Sequence, residues 1–217
     1  MRASGQTIVR KLLVSATGLL LLAGVAANSG CRVWAYFMGE DETKKVTAEY
    51  AHLVNQKVCL LVRAEPETLF DYPQVQFEVA DHIRVPLESN VKGCSVVEPR
   101  KVVEMQRRSN EWERTDPAEV GKRLGADRLV EITLTQYSTR EPESPHLFRG
   151  YISALIRVYN TAYVNCEPTY KTEVKTVYPP DSPGEYGAGD RAIRRAMMEA
   201  FAEEVAGKFY DRTVKVK

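Results

Sequence analysis

The stretch DPAEVGKRLGADRLVEITL, residues 116–134, decides the fold because it contains a complete transition from a helix to a strand. Asp116 is typical of a helix N-cap, and Pro117 is typical of the first helical position. Gly125 is expected to end this helix. Apolar and polar residues then alternate over residues 128–137, which predicts a strand with one buried face. Its apolar residues are Val130, Ile132 and Leu134.

Upstream of this stretch, strands and helices are expected to alternate. Lys57–Arg63 is apolar on both faces, as is typical of a central strand covered on both sides. Apolar residues recur every four positions over residues 75–91, which predicts a helix that Pro86 should kink or break in two. A short strand is predicted at Cys94–Val97, and a brief helix at Pro99–Arg107.

Downstream, two more alternating segments, Arg149–Tyr159 and Tyr170–Tyr178, follow a polar turn at Thr139–His146. With the strand from residue 128 they predict an antiparallel meander that has one solvent-facing side. A helix is predicted over Arg191–Tyr210. The expected fold is a single-domain α/β sandwich in the order β-α-β-α-α-β-β-β-α. It combines a mixed sheet, a C-terminal meander and a closing helix.

The N-terminal residues have the composition of a secretory signal. Arg2, Arg10 and Lys11 precede an apolar run, and residues 1–30 contain no acid. The run is about 16 residues long, shorter than the roughly 20 that a membrane-spanning helix needs. We therefore expect a signal peptide over residues 1–30, a tether with a short helix over 31–56, and one α/β domain over 57–217.

Asn28-Ser29-Gly30-Cys31 resembles the bacterial lipobox, whose cysteine is acylated and becomes the new N-terminus. Cys31 is therefore the predicted lipidation site, labelled by palmitate and anchoring the chain on the periplasmic side of the cell envelope. Asn28 departs from the aliphatic residue that is usual there. The alternative is cleavage after Ala27, which would leave a soluble periplasmic protein.

Charge and cysteine content narrow the classes of function. The chain has 30 basic and 29 acidic side chains, and the first 30 residues hold three of the basic ones. The exported part therefore has a formal charge of −2, which argues against a nucleic-acid partner. Cys59, Cys94 and Cys166 follow Cys31, an odd number that allows at most one internal disulfide. A Cys59–Cys94 bridge stays open because their strands could be neighbours.

No catalytic, metal or cofactor motif is found in the sequence. His52, His82 and His146 stand apart from one another and from the cysteines, so no zinc site is expected. Gly184–Gly189 is glycine-rich but lacks the Lys-Ser/Thr of a phosphate loop, so a flexible linker is expected. Trp112 is either an exposed anchor for a partner or tucked under its loop. The tyrosines of the meander either pair across strands or form a binding patch.

The order of elements, with the segments Val96–Pro99 and Leu124–Val130, resembles a group of bacterial envelope domains. The group includes the periplasmic domain of the curli-secretion lipoprotein, the TolB N-terminal domain and small envelope lipoproteins of planctomycete type. The resemblance covers residues 57–210. It implies a membrane-anchored accessory or scaffold lipoprotein that acts by protein–protein interaction, without catalysis.

Three kinds of partner are expected from the lipobox and the resemblance together. These are the lipid bilayer, bound through acylated Cys31, an unidentified envelope protein and further copies of the chain. One alternative is a subunit of an oligomeric secretion or transport assembly. The short polar turn predicted at Thr139–His146 argues against a hairpin that crosses the outer membrane. Another alternative is an envelope hydrolase whose site residues are dispersed along the sequence.

Overall fold

The computed structural model describes residues 43–108, 110–141, 144–182, 184–186 and 189–215. Two compact units divide the chain, the larger spanning residues 45–212 and the smaller combining residues 1–44 with 213–217. The strands are β1 (Thr43–Val46), β2 (Lys57–Arg63), β3 (Ser95–Val96), β4 (Arg128–Glu141), β5 (Ser144–Asn160), β6 (Tyr170–Tyr178), β7 (Glu185–Tyr186) and β8 (Arg212–Lys215). The helices are α1 (Pro66–Asp71), α2 (Val75–Asn90), α3 (Pro99–Arg108), α4 (Glu111–Arg114), α5 (Pro117–Arg123) and α6 (Asp190–Ala206).

The main sheet has the strand order β3-β2-β4-β5-β6, and β7 pairs with β5. β2 is parallel to both β3 and β4, whereas β4, β5 and β6 form an antiparallel meander. β1 and β8 form a separate two-stranded sheet. The predicted mixed α/β sandwich, with its C-terminal meander and late helix, is confirmed.

Two hydrophobic cores lie on opposite faces of the sheet, because successive side chains of a strand point in opposite directions. Val58, Leu60 and Val62 of β2 belong to the first core, which α2 and α6 cover. Cys59 and Leu61 belong to the second core, which includes residues of α3, α4 and α5. The prediction that β2 is buried on both faces is confirmed.

Residues 116–134 fold as the sequence predicts. The Asp116 Oδ1 atom accepts hydrogen bonds from the backbone N–H groups of Ala118 at 2.8 Å and Glu119 at 3.3 Å, which caps α5. Gly125 follows the helix with φ +69°, a conformation that glycine adopts without steric cost. The backbone N–H of Asp127 then donates to the Lys57 carbonyl at 2.7 Å, and the Asp127 carboxylate accepts the backbone N–H of Lys57 at 2.9 Å. This reciprocal pair places the start of β4 beside β2.

The substitution Asp116→Ala should lower the free energy of unfolding by about 1 kcal/mol, because it removes the cap of α5. The Asp116 Oδ2 atom also accepts the backbone N–H of Asn165 at 3.1 Å, so the loop before β6 should loosen as well. Urea unfolding followed by circular dichroism measures the change. Asp71→Ala, at an exposed position, is the matched control, and an equal loss in both variants would contradict the capping role.

The predicted turn at Thr139–His146 is wrong, because β4 continues to Glu141 and β5 already begins at Ser144. Polar residues in this range have hydrogen-bond partners in the hairpin and in α6. The Tyr151 hydroxyl donates to Glu141 Oε2 at 2.5 Å, and buried Thr139 donates its hydroxyl to the Asp190 carboxylate. β7 adds further backbone pairing to β5. The hairpin is longer than predicted, so turn length no longer argues against a secretion-pore subunit.

Three helix predictions also need correction. The short helix expected before residue 57 is absent from described residues 43–56, which form β1 and a turn; Asn55, with φ +56°, interrupts any helix there. α2 runs unbroken across Pro86. The last helix ends at Ala206, although Phe209 still reaches the first core. Within the described residues, no helix is both long and apolar enough to cross a membrane.

The segment that precedes β2 is fixed to the end of α6 by polar contacts. Glu49 accepts hydrogen bonds from the Lys208 Nζ atom and the Tyr170 hydroxyl, each at 2.6 Å. These two donors lower the pKa of the Glu49 carboxyl. The backbone N–H of Ala48 donates to Asp211 Oδ1 at 2.8 Å, and that of Tyr50 donates to the Lys208 carbonyl at 3.0 Å. We call residues 48–50 the N-terminal strap.

Candidate functional site

An open groove of about 440 Å³ lies on the outer side of the second core, between helices α3, α4 and α5. Its floor is apolar and consists of Met105, Trp112, Val120 and Leu124. Its rim is polar and consists of Lys101, Glu104, Arg108, Glu111, Thr115 and Arg123. We call this feature the helical groove. An apolar floor with a charged rim is the usual composition of a binding cleft.

Trp112 forms part of the floor and is held in one orientation. Its indole Nε1–H donates to the Gln106 carbonyl at 3.1 Å, and Trp112 is only 9% exposed to solvent. The Gln106 side-chain amide in turn donates to the Val62 carbonyl at 2.9 Å, which ties α3 to the end of β2. Of the two sequence alternatives, the structure has Trp112 tucked under its loop.

A buried carboxylate lies on the same face of the sheet as Trp112. Glu131 of β4 is only 3% exposed, and it pairs with Arg63 Nε at 2.6 Å and Arg157 Nη1 at 3.0 Å. The Arg63 guanidinium also lies 4.7 Å from the centroid of the Trp112 ring, in cation–π geometry. The cluster therefore connects three strands of the sheet to the floor of the helical groove.

This cluster was not predicted from the sequence, because Glu131 falls on the polar side of an alternating strand. The sequence signal that could have revealed the cluster is an acid in one strand together with an arginine in each of the two strands that flank it. Arg157 is directly opposite Glu131 in the β4–β5 register, and Arg63 lies at the end of β2. Two guanidinium groups occupy both carboxylate oxygens, so the group is suited to holding the sheet together and not to proton transfer.

Glu131→Gln should lower the free energy of unfolding by about 2 kcal/mol, because it leaves two partly buried arginines without their counter-charge. Urea denaturation measures the loss, and the fluorescence of Trp112 should shift as Arg63 is released. Glu199→Gln, which breaks an exposed pair with Arg195, is the matched control and should cost less than about 0.5 kcal/mol. Equal stability of the two variants would rule out a structural role for the cluster.

The rim of the helical groove carries a surplus of positive charge. Arg108 pairs with Glu104 at 3.7 Å and Arg123 with Glu119 at 2.5 Å, both as exposed pairs one helical turn apart. On its other side, α3 borders a second, smaller depression with Phe77 in its wall. Arg100 and Arg107 line that depression. Helix α3 has four basic residues and one acid, whereas residues 31–217 as a whole have a formal charge of −2.

Cys59 and Cys94 are buried and are not placed to react. Cys59 and Cys94 are free thiols in separate cores, so the bridge that the sequence left open is not formed. Burial raises the pKa of Cys59 to about 12 and that of Cys94 to about 11, which keeps both thiols protonated. Cys166 is exposed. The predicted lipidation site, Cys31, lies outside the described residues.

The structure brings none of the three histidines together. His52 and His146 are exposed, and the His82 Nδ1 atom lies 2.7 Å from the Glu78 carbonyl within α2. No three His, Cys, Asp or Glu side chains of the described ranges are grouped as metal ligands. In the Gly184–Gly189 segment, described residues 185–186 form β7, and helix α6 begins with Asp190, an acid that would repel phosphate there.

Comparisons with known proteins find likeness only at the level of solved structures. No family model matches the sequence, and no curated protein matches it. A variant of the PelC dodecamer from Paraburkholderia phytofirmans aligns with 79% of this chain and 99% of its own, at 6% identity and a TM-score of 0.49. Lipoprotein GNA1162 from Neisseria meningitidis aligns with 70% of this chain and 98% of its own, at 14% identity and a TM-score of 0.43.

A minor lipoprotein from Acinetobacter baumannii is also similar, at 12% identity and a TM-score of 0.34, covering 72% of this chain and 92% of its own. The solved structures thus include bacterial lipoproteins, the broad class that the sequence resembles. At these identities and TM-scores the likeness concerns the general path of the chain and carries no information about activity. The narrower resemblance to the curli-secretion, TolB and planctomycete-type proteins stays a prediction.

Proposed function

We propose that the protein is a membrane-anchored periplasmic accessory lipoprotein, which acts by binding an envelope protein and not by catalysis. The observation that carries the proposal is the N-terminal sequence, in which a basic head and a short apolar run lead to Cys31. Acylation at that cysteine supplies more than one hydrocarbon chain, which is enough for stable attachment to a bilayer. The exported domain contributes a binding cleft, while its buried thiols and its arginine-paired Glu131 suit packing.

Cys31→Ala should abolish metabolic labelling of the protein by palmitate and release it from the membrane fraction, because the acceptor thiol is gone. Labelled palmitate followed by gel fluorography and membrane fractionation measures both effects. Cys166→Ala removes another thiol outside the cores and should leave labelling unchanged. Unchanged labelling of the Cys31 variant would overturn the anchor and favour cleavage after Ala27.

We propose that the helical groove is the partner-binding surface and that it takes an acidic segment with apolar side chains. The apolar floor of Met105, Trp112, Val120 and Leu124 can bury such side chains. The surplus of basic residues along α3 and at Arg123 complements carboxylates on the partner. Lys101 strengthens this complementarity, since it lies on the rim and is exposed.

A photoreactive benzophenone amino acid in place of Met105 should give one discrete adduct in membranes of the native host, mapped by mass spectrometry to an acidic segment. The double variant Lys101→Glu with Arg123→Glu should reduce that adduct about tenfold, because two attractive charges become repulsive. Lys92→Glu, at another exposed lysine, is the control and should leave the adduct intact. An equal yield from a probe placed at exposed Phe70, or insensitivity to the charge reversal, would refute the groove as the binding surface.

The second candidate function, a subunit of a secretion or transport assembly, is favoured by the length of the β4–β5 hairpin. A hairpin that crosses a membrane needs a row of lipid-facing apolar side chains along each strand. Residues 135–141 of β4 contain Tyr137 as their one aromatic residue and no aliphatic residue. The hairpin therefore lacks that row, and the accessory function is preferred.

A further inference from the structure

β6 is the outer strand of the main sheet, and no strand of the described residues pairs with its outer edge. It is nine residues long, whereas β3 at the opposite edge has two. An open edge of this length presents backbone N–H and carbonyl groups that can pair with another strand. The chemistry of the edge residues therefore decides which strand it can accept.

The sequence of β6, YKTEVKTVY, has tyrosine at both ends, threonine two residues from each end and valine at its centre. An antiparallel copy centred on Val174 places identical or oppositely charged residues opposite each other at every position except Lys171 and Val177. The opposed pairs are Tyr170 with Tyr178, Lys171 with Val177, Thr172 with Thr176, Glu173 with Lys175, and Val174 with itself. Aromatic, threonine and opposite-charge pairs are those that stabilise adjacent strands.

The two charged residues near the centre of β6 lie on the solvent-facing side of the sheet. Lys175 Nζ and Glu173 Oε1 are 3.0 Å apart, and their side chains are 66% and 53% exposed. On the other side, Val174 is buried in the first core and Thr176 donates its hydroxyl to Glu204 of α6 at 2.8 Å. The charged side chains are therefore free to turn toward a second strand without disturbing the core.

Neighbouring registers that keep the same faces together are disfavoured by like charges. A copy centred on residue 173 would place Glu173 opposite itself and Lys171 opposite Lys175. A copy centred on residue 175 would place Lys175 opposite itself. Directly opposed like charges destabilise a strand pair. The alternation of sign thus disfavours these two registers, and the register centred on Thr172, which places Lys171 opposite Glu173, overlaps fewer residues of β6 than the register centred on Val174.

We propose that a second copy of this chain pairs with β6 as an antiparallel strand, with Val174 opposite Val174. The two main sheets then join across a twofold axis into one continuous sheet, in which each Glu173 faces the Lys175 of the other copy. The interaction goes beyond the proposed accessory function, because it concerns a different surface from the helical groove.

Disulfide trapping tests the register. In full-length chains carrying Cys166→Ser, one copy with Glu173→Cys and a differently tagged copy with Lys175→Cys should form a mixed disulfide under mild oxidation. Residues directly opposite in an antiparallel pair lie about 5 Å apart, within disulfide reach. The Cys166→Ser chain alone controls for dimers through Cys31. No mixed disulfide while both thiols react with a maleimide, or an equal yield from Glu173→Cys alone, would overturn the proposed register.

Charge exchange tests the contact without cysteines. Glu173→Lys or Lys175→Glu should each lower co-purification of two differently tagged copies about fivefold, since each creates two like-charge pairs across the axis. The double variant Glu173→Lys with Lys175→Glu restores complementarity and should restore co-purification. Glu67→Lys, at an exposed position of α1, is the control and should have no effect. Unchanged single variants, or a double variant as weak as the singles, would refute the pairing.

Circular dichroism confirms that the variants fold, and palmitate labelling of the same chains reports separately on the anchor. Loss of pairing with normal labelling counts against this inference alone. Loss of labelling with normal pairing counts against the proposed anchor alone.

Discussion

Burial of β2 on both faces is the constraint on which the rest of the structure depends. Its five consecutive buried residues, 58–62, cannot be covered by a single layer. One face requires α2 and α6, and the other requires the short helices α3, α4 and α5. The helical groove lies on the second side, where residues of these three short helices line it. The position of the groove thus depends on how the second core is closed.

The Glu131 cluster marks the place where the second core ends. Toward α3–α5 the sheet is covered by apolar packing, while beyond β4 its face becomes polar. A carboxylate at this border would be costly if unpaired, and Arg63 and Arg157 satisfy both of its oxygens. The contact between Arg63 and Trp112 makes the border continuous with the groove floor. The same residues therefore stabilise the sheet and help to form the floor of the groove.

The sequence predicted helix ends, turns and strands well where these depend on residues that are close together in the chain. The cap at Asp116, the turn at Gly125 and the bounds Tyr170–Tyr178 agree with the structure, because each depends on neighbours in the chain. The hairpin at 139–146 was missed because its polar residues are satisfied by distant partners such as Asp190. The helical groove combines side chains of three helices, and no spacing in one sequence reveals that arrangement. Burial of Glu131 likewise depends on strand pairing between residues far apart in the chain.

The N-terminal strap has a mechanical consequence. Force applied to the chain from its N-terminal side meets successive contacts. It first meets the pairing of β1 with β8, and then the hydrogen bonds of the strap to Asp211 and Lys208 and the Glu49–Tyr170 contact, before it reaches β2. The bonds to Lys208 and Asp211 join the strap to the segment that follows α6, in which Phe209 packs into the first core. The load is therefore shared between the two ends of the chain, and the central strand is shielded from being peeled out of the sheet.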